Sequence, residues 1–142
     1  MEEFIRVFRA LSDRTRLRIL CILVRRECCV FEVMLALRIS QPRASRHLGV
    51  LKAAGFLKSR QKGSRVFYAL NDTAGSKAMF GVSEMADAMA LRDASLRIDR
   101  ERMEMMEAGG MGELIGSYRP LVRKYRIGGL QEGLHPTSEG SQ

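Results

Sequence analysis

No stretch of this 142-residue chain carries an unbroken apolar run of membrane-spanning length, which would need roughly 18 residues. The opening Met-Glu-Glu-Phe-Ile-Arg is acidic and amphipathic, unlike a secretion signal, so a cytoplasmic protein with no membrane partner is expected. Cysteine is scarce: Cys21, Cys28 and Cys29 are all there is. An odd number without an export signal argues against a disulfide framework. Metal ligation, thiol chemistry and simple packing stay open. Histidine is scarcer still, with His47 and His135 far apart. There is no nucleophile–base–orienter set, no phosphate loop and no paired-carboxylate motif, so the chain does not read as an enzyme.

Acidic residues are also few in the first half. Residues 1–70 hold 15 Lys and Arg against 5 Asp and Glu, whereas residues 71–142 hold 9 against 11. A basic half beside a near-neutral one points to a polyanionic partner for the first. Charge alone does not separate DNA from RNA or an anionic membrane.

What is present is a series of short amphipathic helices. Residues 2–11 place Phe4, Ile5, Phe8 and Leu11 on one face. Ser12 and Asp13 offer N-cap oxygens to a second helix, which carries Leu17, Ile19, Leu20, Ile22 and Leu23 and ends near Arg25 and Arg26. A third helix is expected from about Cys29 to Leu37. Ser40 then caps a fourth, with Pro42 in its first turn and Gly55 as its left-handed stop. Ala44, Leu48 and Leu51 form the apolar back of that helix, and Arg46, Gly49 and Ala53 form a small, basic front. Such a helix can lie in the DNA major groove, about 12 Å wide. An ordinary surface helix would show the same stripe.

After Gly55 the period shortens to two. Phe56–Gln61 and Arg65–Leu70 read as strands around a basic Lys62-Gly63-Ser64 turn, with Arg60, Lys62 and Arg65 at the tip. Asn71 or Asp72 can start the next helical region. Residues 83–108 read as one long amphipathic helix, supported by i,i+4 pairs such as Asp93/Arg97. Gly109, Gly110 and Gly112 break it, residues 113–126 suggest a further short helix, and residues from Gly128 onward read as a mobile tail. The expected fold is mainly α, a winged helix-turn-helix of order α-α-α-α-β-β-α with a long C-terminal dimerisation helix. Residues 1–108 would form the DNA-binding and dimerisation domain, and 109–142 a partly mobile extension.

Three segments then match a family. Phe8 through Leu20, Ser40-Gln41-Pro42-Arg43-Ala44-Ser45-Arg46-His47-Leu48, and Leu51 through Gly63 with Tyr68 resemble, in order, the opening, recognition helix and wing of the ArsR/SmtB-type metal-sensing repressors. The resemblance spans about residues 4–72. It implies a homodimeric repressor of double-stranded operator DNA, joined through its first and last helices. Two recognition helices would meet successive major grooves about 34–36 Å apart. On chemistry, Gln41 and Ser45 suit base edges, Arg43 and Arg46 suit guanine or phosphate, and Lys62, Ser64 and Arg65 suit phosphates or the minor groove. His47 lies nearer the apolar stripe, where a DNA contact competes with a structural link between helices. Arg14 and Arg16 would touch phosphates or be solvated.

Glu27-Cys28-Cys29-Val30-Phe31-Glu32-Val33-Met34 resembles the family's thiol segment, which reads Glu-Leu-Cys-Val-Cys-Asp-Leu-Cys in arsenic and antimony sensors. Cys29 matches its first cysteine, while Phe31 and Met34 replace the other two and Cys28 replaces a leucine. Soft thiolates select soft ions. Cys28 and Cys29, with Cys21 as a third donor or a core residue, therefore suggest arsenic(III) or antimony(III) as inducer, with no permanently bound cofactor. A helix N-terminus would lower the Cys29 pKa and favour its thiolate, which favours oxidation as much as metalloid binding. Residues 73–108 contain no histidine, so a zinc site on the last helix is not expected. The alternatives are the same repressor answering to thiol oxidation or an organic ligand, and a winged-helix protein-interaction module.

Overall fold

The computed structural model describes residues 1–73 and 81–117. The chain order is α1 (Glu2–Leu11), α2 (Arg14–Leu23), β1 (Cys28–Cys29), α3 (Val30–Leu37), α4 (Gln41–Ala53), β2 (Leu57–Lys62), β3 (Arg65–Leu70), α5 (Val82–Ala90), α6 (Ala94–Glu107) and α7 (Met111–Ser117). Among the described residues the strands make one antiparallel sheet of order β1-β3-β2, so the second wing strand lies in the middle. This is a winged helix-turn-helix, as the succession of capped helices and hairpin requires.

The elements follow from local chemistry. Asp13 caps α2 through the Arg16 amide at 2.9 Å, and Ser40 caps α4 through the Arg43 amide at 3.4 Å. Gly55 at φ 87° and Gly63 at φ 62° supply the left-handed turns that stop α4 and close the hairpin. The apolar faces of α2, α3 and α4 meet in one core built on Ile19, Leu20, Val33, Leu48, Leu51 and Phe56. No helix among the described residues is long and apolar enough to cross a membrane.

Three features depart from the sequence reading. Residues 83–108 are two helices, because Leu91 ends α5 and the Asp93 carboxylate accepts from the Ser95 amide at 2.8 Å to start α6. The helix read from about Cys29 to Leu37 is α3, with Cys29 as its N-cap, but Cys28–Cys29 also forms an unexpected short strand against β3, with Cys28 opposite Tyr68 and Cys29 opposite Phe67. Asn71, Asp72 and Thr73 themselves lie outside any helix, and the next helix among the described residues, α5, starts at Val82. Residues 111–117 form α7, whose Leu114 joins the main core. The tail from residue 128 lies outside the described residues, as does the rest of the helix read over 113–126.

A buried charge cluster ties α6 to the helix-turn-helix. Asp99 of α6 has no exposed surface. Each of its oxygens accepts from Arg18 of α2 at 2.7 Å, and Arg102 stands 3.7 Å away. Arg18 also donates to the Leu37 carbonyl at 3.2 Å, and Arg102 to the Ala36 carbonyl at 2.8 Å. The last carbonyls of α3, which have no partner within the helix, are thus satisfied from α2 and α6. The chain then turns through Arg38 at φ 53° into α4.

Candidate nucleic-acid interface and thiol segment

Helix α4 buries Ala44, His47, Leu48 and Leu51 and exposes Gln41, Arg43, Ser45, Arg46 and Gly49. The helical period sets these two faces back to back. Its flanks are held differently. Arg43 donates to the Thr15 hydroxyl of α2 at 3.3 Å, and Lys52 donates to Ser59 of β2 at 2.6 Å. Between them lies a low strip of Arg46, Gly49 and Ala53. A Cβ at Gly49 would meet nothing within 4 Å. At the hairpin, Lys62, Ser64 and Arg65 are all exposed. The structure therefore brings Gln41, Ser45, Arg46, Lys62, Ser64 and Arg65 to solvent on α4 and the wing, with Arg43 tethered at the edge.

His47 goes the other way. It is 7% exposed, and its Nδ1 lies 3.8 Å from the Asp13 carboxylate at the α2 N-cap. Burial lowers its pKa despite Asp13, helped by the nearby cations Arg16, Arg43 and Arg46. A neutral imidazole wedged between α4 and α2 fits the structural alternative. Arg16 also turns inward: its guanidinium donates to the Arg9 carbonyl at 2.7 Å and to the Ala10 carbonyl, closing the C-terminus of α1. Arg14 is exposed and pairs with Asp93 at 3.5 Å.

The three thiols are all buried. Cys28 lies in the main core and donates to the Arg26 carbonyl at 3.6 Å, while Cys21 sits in a separate cluster with Ala86, Ala90 and Leu96. Among the described residues no three Cys, His, Asp or Glu side chains converge as a metal site. Successive strand residues also point to opposite faces, so Cys28 and Cys29 do not form a ready chelate.

Burial pushes the Cys28 thiol up to about 12 and Cys21 to about 11. Cys29 also rises, contrary to the lowering expected at a helix N-terminus. Desolvation and the Glu32 carboxylate outweigh the backbone N–H groups of Glu32 and Phe31. Glu32 itself accepts from the Cys29 amide at 2.9 Å. Sequence reasoning missed one link here. Glu27, just before the thiols, accepts from Arg60 of β2 in a two-pronged pair, with one prong at 2.8 Å. Arg60 also lies 5.7 Å over the Phe67 ring. The signal was faint: a Glu and an Arg 33 positions apart.

A capped, outward-facing helix flanked by a basic hairpin defines a DNA-binding regulator of the winged-helix class. Residues 13–59 match the sequence profile of the family described as bacterial regulatory protein, arsR family. The chain is 43% identical over 95 residues to the arsenic resistance transcriptional regulator ArsR2 of Pseudomonas putida, covering 65% of this chain and 83% of that one. It is 43% identical over 68 residues to the arsenical resistance operon repressor of Escherichia coli, covering 47% of this chain and 58% of that one. It superposes on the homodimeric winged helix-turn-helix DNA-binding domain from Mycobacterium bovis with a TM-score of 0.51 and 27% identity, over 63% of this chain and 77% of that one. The chain belongs to the ArsR family: it is a transcriptional repressor that binds DNA, not an enzyme.

Proposed function

We propose that two copies of this chain hold an operator and leave it when a soft thiophilic ion, arsenic(III) or antimony(III), engages the Cys28–Cys29 segment. The observation that carries this reading is the place of the thiols. They form β1, paired directly to the central strand of the wing sheet and preceded by the Glu27–Arg60 link. The names of the relatives from P. putida and E. coli support the choice of ion. The homodimeric M. bovis domain supports the assembly, as do Phe4 and Phe8, which lie 64% and 69% exposed on α1. Gln41, Arg43, Ser45, Arg46, Lys62, Ser64 and Arg65 are the proposed DNA contacts, with His47 positioning α4.

The coupling follows from the chain's own residues. The two sulfurs cannot meet while β1 stays in the sheet, and both are protonated where they lie. Engaging them requires β1 to leave β3, releasing thiol protons. That exit removes the ladder at Tyr68 and Phe67, pulls Glu27 from Arg60 and loosens the start of α3. The wing and the helix that supports α4 shift together, and the DNA-free form is favoured. The effect is reciprocal, so operator DNA weakens ion binding by the same factor. Thiol oxidation is the less favoured trigger, since burial withholds the reactive thiolate.

The test is a titration of the complex with its own upstream DNA, using arsenite, antimonite, cadmium, zinc and peroxide. Arsenite and antimonite should release the wild-type chain and leave the Cys28→Ser/Cys29→Ser chain bound. Normal release of the double variant, or no release of the wild type by either metalloid, would overturn the reading.

A further inference from the structure

The first helix has two faces with different chemistry. Phe4 and Phe8 lie on one. Glu2, Arg6 and Arg9 lie on another and border a hollow of about 330 Å³. The opposite wall of that hollow is the recognition helix itself, through Val50, Ala53 and Ala54. Arg6 and Arg9 are exposed, and among the described residues neither guanidinium is paired with an acid. Glu2 is the acidic residue lining the hollow.

The geometry gives this hollow a direction. Residues seven apart share a side of a helix. Arg43 and Val50 therefore mark one flank of α4, against α2 and α1, while Ser45 and Lys52 mark the other, against β2. The wing cations Lys62 and Arg65 stand beyond the second flank. A helix lying in the major groove has a phosphate strand on each side. The wing can meet one of them. The other passes along the Arg43–Val50 flank, where Arg6 and Arg9 stand beyond Arg43, while Arg16, which also lines the hollow, is turned to the carbonyls that end α1.

We propose that Arg6 and Arg9 of α1 form a second phosphate-binding edge, gripping the DNA backbone on the side of the recognition helix away from the wing. The edge carries no base readout. It adds affinity and register, as phosphate contacts do. Its cations lie off the Phe4–Phe8 face, so α1 can serve a partner subunit and the duplex at once. The proposal rests on the DNA-binding role of α4 and is independent of the inducer.

The experiment compares the full-length wild type, Arg6→Ala/Arg9→Ala and Arg6→Lys/Arg9→Lys. Each is titrated with the chain's own upstream duplex and with an unrelated duplex from 50 to 200 mM salt. Two phosphates lost per subunit should flatten the log–log salt slope by about 1.8 per subunit, or about 3.6 for a dimer. At low salt the alanine variant should lose at least about tenfold in affinity, equally for both duplexes, since phosphate contacts are blind to sequence. The lysine variant should restore most of the slope. An unchanged slope in the alanine variant would overturn the proposal. So would a loss confined to the upstream duplex, or a loss shared by the lysine variant, which would make the role one of base readout or packing. If the wild type shows no preference for its upstream DNA, the reading of α4 fails instead.

Discussion

Replacing Asp99 with Asn should destabilise this protein more than any exposed charge change. The carboxylate is wholly buried, and Arg18, with 20% of its side chain exposed, forks onto both oxygens at 2.7 Å. Removing one member of a buried pair leaves the other charged and short of a partner, at a cost of about 3–5 kcal/mol. The partial exposure of Arg18, its remaining bond to the Leu37 carbonyl, and one oxygen kept by Asn favour the lower end. A loss of about 3 kcal/mol in a domain of this size lowers Tm by roughly 10–15 °C. Urea unfolding followed by helical circular dichroism measures the loss, with Glu101→Gln on the exposed face of α6 as control. Arg18→Met/Asp99→Leu, which removes both charges, should recover most of it. If Asp99→Asn unfolds within about 1 kcal/mol of the control, the buried cluster is not what holds α3 in place. Operator titration below the melting range should show weaker binding by Asp99→Asn, because the carbonyls that Arg18 and Arg102 satisfy end the helix leading into α4.

Ser40→Ala removes the N-cap of α4 and should cost about 1 kcal/mol; equal stability in urea would mean that Pro42 and packing suffice. Cys28 has a pH signature. Its folded pKa is raised from 9.0 to about 12, so burial favours the thiol. That contribution is complete below pH 9 and is lost as pH climbs toward 12, with a maximal slope of about 1.4 kcal/mol per unit. The stability advantage of wild type over Cys28→Ala should therefore shrink above pH 9. A gap that stays constant to pH 11 would refute the burial argument.

The helix-turn-helix was legible because its signals are local. Ser40, Pro42 and Gly55 punctuate α4, and the stripe of Ala44, Leu48 and Leu51 is as buried as its spacing implies. The hairpin needed only alternation and a glycine at the turn. What escaped was set by distant partners. A two-residue strand has no period to detect, so Cys28–Cys29 joins the sheet on the strength of β3 alone. Asp99, amid charged neighbours on α6, reads as solvated; only the meeting of α2 with α6 makes it a core residue. Asp93 was read as an i,i+4 partner of Arg97. It caps α6, and Arg97 donates to the Leu91 carbonyl at 3.4 Å. The thiols were located, but their protonation depends on burial that no local pattern reports.

Gly49 sits in the middle of α4 with an ordinary helical backbone and vacant space where a side chain would go. Neither torsion nor crowding demands a glycine, and alanine would firm the helix by about 1 kcal/mol. The chain forgoes that gain on the surface proposed above to face DNA. Folding leaves this position unconstrained, so a bulkier residue could alter which duplexes are accepted while the scaffold beneath stayed intact.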